Sequence, residues 1–498
     1  MTLVRSPSGW AALVAGFALC LFVGYATTWL PGDFLTTPTS VYATVALSVA
    51  LWPIVRRVLN GTIDVFEPIL PASVMLASVF GVRPLVMLAT GNRLLDERFS
   101  VASGFNRAVA LGMIGTVSFV VGYELIFGAR RRSASQWMGS KLNLPATRKA
   151  VRWLTGIGIL LFFAQLARQG NPLSALSVLL HGRSTAVASV DATAYLADSP
   201  LLLACGATIL IISLRGNLAE GQRFIVILLV LIPVLAFSLL GNRRFIIPSV
   251  AIPLVTYYLV RNRRPAWWRL GVIVPVVFVI LATIPFARAA GARRVAGGAL
   301  PIFTQAFEAP FKPVEKFFTA NDTEMVPALA LEIENLRHPS DYFFGRATVG
   351  DLLLAPVPSA LFPKPQTSRN DLLIRIFGEP CGGGFCPDFS TVGTFYQDFW
   401  YVGAVVGMLL LGAFSALLWV RFRENAQSNM GLILAASWAV FLPIIIRAGF
   451  MPSFSWWLEF LFPLWLCMRA IEKRSSQSNA YFLERFRTGE IETSLDQA

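Results

Sequence analysis

Two adjacent arginines stand in the turn Gly241-Asn242-Arg243-Arg244, between two apolar runs. Guanidinium groups take phosphate oxygens two at a time through a planar fork, so Arg243 and Arg244 in so short a turn read as a phosphate clamp. The competing reading is that both snorkel to lipid phosphates. Arg288, Arg293 and Arg294 follow a later apolar run and extend the same anion chemistry, and Arg447 closes another in Ile446-Arg447-Ala448-Gly449. An arginine at membrane depth is a functional candidate by default, again with snorkelling as its rival.

Carboxylates able to deprotonate a hydroxyl lie between residues 341 and 388 as Asp341, Asp351, Glu379 and Asp388. Asp351 and Glu379 are taken as the catalytic pair; solvation or helix capping is the alternative role for each. His338 lies in the same stretch, where an exposed imidazole is more often neither ligand nor base. Tyr342, Phe343, Phe344 and Tyr396 offer faces for stacking on sugars, although core packing is their commoner use. The run Pro356 to Pro365 is stiffened by its prolines and holds Lys364 between two of them, suited to a phosphate or sugar acid.

Cys381 and Cys386 bracket three glycines that let the backbone double back, and we expect a disulfide there, with free thiols as the alternative. Cys20, Cys205 and Cys467 fall in apolar runs and read as packing residues. No histidine and cysteine spacing suits a metal, and neither metal nor cofactor is expected.

The elements that must position these groups are apolar helices. The chain is 55% hydrophobic and only 14% charged, against roughly 25% charged in soluble domains. A helix needs about 20 apolar residues to cross the hydrocarbon core. Runs of that kind occupy residues 9–30, 39–59, 66–90, 108–128, 151–168, 193–214, 223–240, 244–260, 267–286, 393–420, 430–447 and 453–470. The expected fold is therefore an all-α polytopic membrane protein of about twelve spans with one large external loop. Residues 1–286 form nine helices, 287–392 the loop, 393–470 three further helices and 471–498 a cytoplasmic tail.

Basic clusters mark alternate loops: Arg56 and Arg57, Arg130 to Lys149, Arg215 and Arg223, Arg261 to Arg269, Arg421 and Arg423, and Lys473 with Arg474. The positive-inside rule places these in the cytoplasm, with both termini, and places the 287–392 loop outside. Loops of that length inside a compact protein are usually functional, and this one is expected to fold as a lid. Arg243, Arg244 and Arg447 are expected to converge beneath it, with Lys364 pointing inward. The net charge of +14 has this topological origin; it points to anionic lipid headgroups and not to nucleic acid.

Several of these pieces in order resemble the bacterial O-antigen polymerase family, also called oligosaccharide repeat-unit polymerases. The pieces are "IDVFEPIL" at 63–70, "GNRRFIIPSVAIPLVTYYL" at 241–259, "YFFGRATVGDLLLAPVPSALFPKP" at 342–365, "STVGTFYQDFWYVGAVVGMLLLG" at 390–412 and "IIIRAGF" at 444–450. The likeness spans residues 60 to 450. Ser359 stands where the family often has arginine, and Ala448 separates Arg447 from Gly449.

The resemblance implies transfer of a growing glycan from undecaprenyl pyrophosphate to the hydroxyl of an incoming lipid-linked repeat unit. That reaction takes place on the outer side of the cytoplasmic membrane, without metal. Flippase and chain-length regulator proteins of the same pathway are candidate partners. Arg243, Arg244, Arg288 and Arg447 would face the leaving pyrophosphate. A ligase-type glycosyltransferase and a lipid-oligosaccharide flippase are the alternatives; a flippase favours two similar halves, which the sequence lacks.

Overall fold

The computed structural model describes residues 38–90, 94–96, 99–100, 104–129, 137–139, 142–168, 199–239, 243–265, 324–354, 367–378, 387–425 and 427–487. Apart from a small antiparallel ribbon, β1 (Leu94–Asp96) with β2 (Phe99–Ser100), the regular structure among them is helical. Among the described residues, five segments are long and apolar enough to cross a membrane: Pro38–Leu59, Ile69–Ala89, Phe105–Gly128, Thr391–Glu424 and Asn429–Ala448. By length and composition the protein is thus a helical membrane protein. Of the expected spans, 9–30 and 267–286 lie outside the described residues, and each of the others falls on helix.

Helix α1 (Pro38–Leu59) ends in the basic pair Arg56 and Arg57. Helix α2 (Ile69–Leu76) passes through a π-helical segment, Ala77–Val82, into α3 (Arg83–Thr90). After the ribbon come α4 (Phe105–Ala129), α5 (Leu144–Arg168), α6 (Ser199–Ser213), α7 (Glu220–Leu239) and α8 (Arg243–Val260). Helices α9 (Met325–Asn335), α10 (Asp351–Leu354) and α11 (Ser368–Phe377) belong to the expected external loop. Helices α12 (Thr391–Glu424), α13 (Asn429–Ala448) and α14 (Phe450–Arg487) complete the described chain.

The most extensive helix pair is α12 on α4. Lipid supplies no hydrophobic drive between helices, so close packing of small residues does the work. A Cβ at Gly122 would sit 2.1 Å from the Leu409 carbonyl, and one at Gly412 would sit 2.1 Å from the Phe119 carbonyl. The two backbones therefore touch through a reciprocal glycine pair. Helix α13 is the central element, with 78% of its apolar window buried, the highest share of the five spans. Its Trp438 donates to Ser415 Oγ at 2.9 Å, and Trp457 of α14 donates to Ser437 Oγ at 3.0 Å. Both indoles thus find a partner where water is absent.

One end of the bundle is tied by ion pairs centred on the motif at 63–70. Arg57 is buried and grips Glu67 with two prongs, Nε to Oε2 at 2.8 Å and Nη2 to Oε1 at 2.7 Å. Its Nη1 reaches Glu124 at 2.7 Å, Arg56 pairs with the same carboxylate at 2.8 Å, and the Tyr123 hydroxyl donates to Glu67 at 3.0 Å. Arg264 takes Asp64 in a second fork, at 2.7 and 2.6 Å.

Nearby loops join in. Asn262 exchanges hydrogen bonds with the Trp137 backbone at 2.9 and 2.8 Å, the Trp137 indole donates to the Ser428 carbonyl, and Arg215 donates to the Gly139 carbonyl. The loops that carry the basic clusters thus share contacts with one another. Removing one partner of a buried pair leaves the other charge stranded, at a cost of about 3–5 kcal/mol. Glu67→Ala is accordingly expected to lower the melting temperature of the detergent-solubilised protein markedly, and Asp64→Ala, whose partner is more exposed, far less. Equal small shifts for both would contradict this account.

Candidate active site

At the other end, α12 opens with a break. Phe399 and Trp400 leave helical geometry (φ −142°, ψ 32° and φ 59°, ψ −150°). A tryptophan with positive φ is strained and persists only where its surroundings hold it. The carbonyls freed by the break are taken up by the segment before α10: Phe343 donates to the Gln397 carbonyl at 2.9 Å and Phe344 to the Asp398 carbonyl at 3.2 Å. Irregular backbone at such a depth is tolerated when protein satisfies it.

Phe344 (φ 49°) and Gly345 (φ 88°) then turn the chain left-handed into the π-helical segment Arg346–Gly350. The start of that segment delivers the Ala347 amide (2.8 Å) and the Thr348 hydroxyl (2.6 Å) to the buried Asp398 carboxylate. Arg346 pairs with Asp371 of α11 at 2.8 Å, and Asp351 accepts from the Ser368 amide at 3.0 Å. Burial raises the Asp351 carboxyl above its ordinary range, against the Ser368 bonds that lower it.

The short chain ahead of α12 brings cations to this end. Asp388 is buried and accepts from Arg369 at 3.1 Å and from Arg447 at 3.5 Å; Arg369 also donates to the Pro387 carbonyl at 2.8 Å. Two guanidiniums share this carboxylate, and the Arg447 side chain keeps 26% of its surface exposed. Its place in the last turn of α13 favours a cation, because the helix dipole is negative there.

Helix α9 packs deep against α4 and also contacts α12. Its Glu332 is fully buried and accepts from Gln397 Nε2 at 2.9 Å, while Oε2 has no partner. Burial pushes this carboxyl up to about 8, against the lowering effect of the Gln397 bond. The fit requires glycine at 393, where a Cβ would lie 2.6 Å from Oε2. At the head of α9, buried Glu324 supplies countercharge to Arg83, itself buried at the start of α3 with Nε and Nη1 unpartnered.

Of the residues singled out from sequence, Arg447 lies in the Asp388 cluster and Asp351 at the start of α10, bonded to Ser368 at the head of α11. Tyr342 donates to the Leu336 carbonyl at 2.9 Å, and its hydroxyl lies 3.4 Å from that of Tyr396. Tyr396 is in the core, edge-on to both Tyr342 and Tyr401, so its ring faces neighbours within the protein. Asp341 and His338 form a local capping turn, with the His338 amide donating to Asp341 at 2.8 Å. Arg243 and Arg244 begin the backbone of α8. Their side chains, with Arg288, Lys364, Glu379 and the Cys381–Cys386 pair, lie outside the described residues.

Sequence reasoning missed Arg83, Glu332, Arg369 and Asp398. Arg83 was detectable as a lone charge inside an apolar run, and Glu332 as a carboxylate interrupting the apolar stretch from Met325 to Ile333. In comparisons with family models, curated proteins and solved structures, none matches this chain.

Proposed function

We propose that the protein is a metal-independent membrane glycosyltransferase. In this reading it polymerises undecaprenyl-pyrophosphate-linked oligosaccharide repeat units into a surface polysaccharide, on the outer side of the cytoplasmic membrane. The finer topology belongs to the same proposal: about twelve spans, both termini cytoplasmic, and residues 287–392 outside. The observation that carries it is the partly exposed Arg447, sharing Asp388 with Arg369 at the bundle end where α9 and α10 pack back onto the spans. The basic loops that contact one another around the 63–70 motif then form the cytoplasmic end.

In the reaction, an acceptor hydroxyl oxygen forms a bond to the anomeric carbon while the bond from that carbon to the pyrophosphate oxygen breaks. The electron pair leaves with the pyrophosphate-lipid, and the hydroxyl proton passes to a carboxylate. Fixed cations beside the departing oxygen stabilise the charge as it develops. Arg447 and Arg369 take that role here, with Arg243, Arg244, Arg288 and Lys364 as further candidates. Asp351 and Glu379 are the candidate bases; burial, which raises Asp351, also strengthens its affinity for the transferred proton.

The lipid-linked glycans of a strain lacking the gene provide the test. Accumulation of single repeat units on the polyprenyl carrier is expected. Long chains stranded on the carrier would instead assign ligation, and an unchanged lipid-linked pool would end both readings.

A further inference from the structure

The first turns of α5 carry a feature that the transfer reaction does not use. An open surface depression of about 650 Å³ is lined, among the described residues, by Pro145, Arg148, Lys149, Arg152 and Trp153. That volume falls within the range of small-molecule sites, roughly 300–1,000 Å³. Its three cations are exposed, and among the described residues no carboxylate lies within ion-pairing distance of any of them. Among the described residues the charge is therefore uncompensated.

The same side of α5 continues as an apolar ridge. Helix α5 packs on α6, where a Cβ at Gly206 would meet Thr155 and Val151, and Thr147, Leu154 and Gly158 are buried on that face. Away from that face, Trp153 is 62% exposed and Leu160 68%, with Ile157 between them also exposed. Positions 153, 157 and 160 share one helical face. Gly156 leaves a one-residue gap in the ridge, and a Cβ there would meet nothing within 4 Å, so the helix surface is open at that point. A cationic depression, a tryptophan at its rim and a gapped apolar ridge beneath it match the three parts of one ligand: phosphate, glycerol backbone and acyl chain.

We infer that the depression at the start of α5 binds the phosphodiester headgroup of an anionic glycerophospholipid, with an acyl chain lying along Trp153, Gly156 and Leu160. Arg148 and Arg152 hold phosphate oxygens through their forks and Lys149 adds a point charge. The orientation proposed above puts this site in the cytoplasmic leaflet, whose anionic surface attracts basic segments. It is thus a lipid anchor at the end of the bundle opposite the transfer site.

Native mass spectrometry of the full-length protein, released from nanodiscs containing phosphatidylglycerol and phosphatidylethanolamine, tests this. The wild-type protein is expected to retain phosphatidylglycerol preferentially. Combined Arg148→Gln, Lys149→Gln and Arg152→Gln substitution should cut that retention at least tenfold with an unchanged melting temperature, since all three side chains are exposed. Gly156→Leu, which fills the gap and leaves the cations in place, should also reduce it several-fold. Equal retention by the wild type and the triple variant would overturn the proposal. So would displacement of the lipid by millimolar glycerol phosphate, which carries the headgroup chemistry without the chain.

Discussion

Arg447→Ala is expected to lower polymer formation roughly 10²–10³-fold, the loss typical when one preorganised donor to a developing anion is removed, while protein abundance stays normal. The reason lies in its setting. Arg447 is a partly exposed cation at the mouth of the bundle, and its Asp388 partner is also held by Arg369. Loss of Arg447 therefore leaves the carboxylate paired, and the fold pays little. Arg447→Lys keeps the charge but loses the two-pronged fork, so rescue should be partial.

Arg83→Met makes a sharper contrast. Its guanidinium is buried with two nitrogens unpartnered, an arrangement that costs stability and is retained for function by default. Combined with Glu324→Gln, which removes the countercharge that Arg83→Met alone would strand, the variant should lose activity while its melting temperature holds. In vitro elongation of lipid-linked repeat units, scored by ladder length on gels beside a thermal melt, separates the two outcomes. Normal ladders from Arg447→Ala would remove that residue from the site; collapse of the melting temperature in the double variant Arg83→Met, Glu324→Gln would make Arg83 structural.

The spans were legible in the sequence because lipid imposes a single demand, a long apolar helix, and composition answers it directly. The runs at 39–59, 108–128 and 430–447 fall on α1, α4 and α13 within a few residues. The contacts among the basic loops at 137–139, 215, 262 and 428 agree with their alternation along the chain. The function of the 63–70 motif was not: Asp64 and Glu67 look like ordinary loop carboxylates until Arg264 and Arg57, which approach from other helices, are seen to grip them.

The break in α12 was hidden as well. "YQDFWYVG" carries neither proline nor glycine at the break itself; the bend at Phe399 and Trp400 exists because amides from residues 343 and 344 take over the abandoned carbonyls. Asp398 escaped notice because its partners, Ala347 and Thr348, lie some fifty residues away in the chain. Periodicity reports which side chains meet lipid. It does not report which buried carboxylate meets which distant amide.

Glu332 makes the second large effect a matter of pH. In the folded protein its carboxyl titrates near 8, against an ordinary value of 4.5. Between those limits the folded state holds a proton that the unfolded state has released, so stability falls as pH rises through this window and levels off above it. At about 1.4 kcal/mol for each tenfold change in proton concentration, the full displacement sets a ceiling of roughly 5 kcal/mol.

The loss has a physical location. The deprotonated carboxylate would sit at a fully buried position of α9, with one oxygen accepting from Gln397 and the other facing Gly393 without a donor. Glu332→Gln keeps the shape and removes the proton. Its melting temperature in detergent should match that of the wild type near pH 5 and exceed it by an increasing margin up to pH 8.5. Because every other titrating group is common to both proteins, the difference between the two curves isolates this carboxyl. Parallel curves across that range would mean that Glu332 is ionised in the fold and paired with a donor. A wild-type curve that rises above the variant's with pH would mean that its charge is stabilising, the opposite of what its burial dictates.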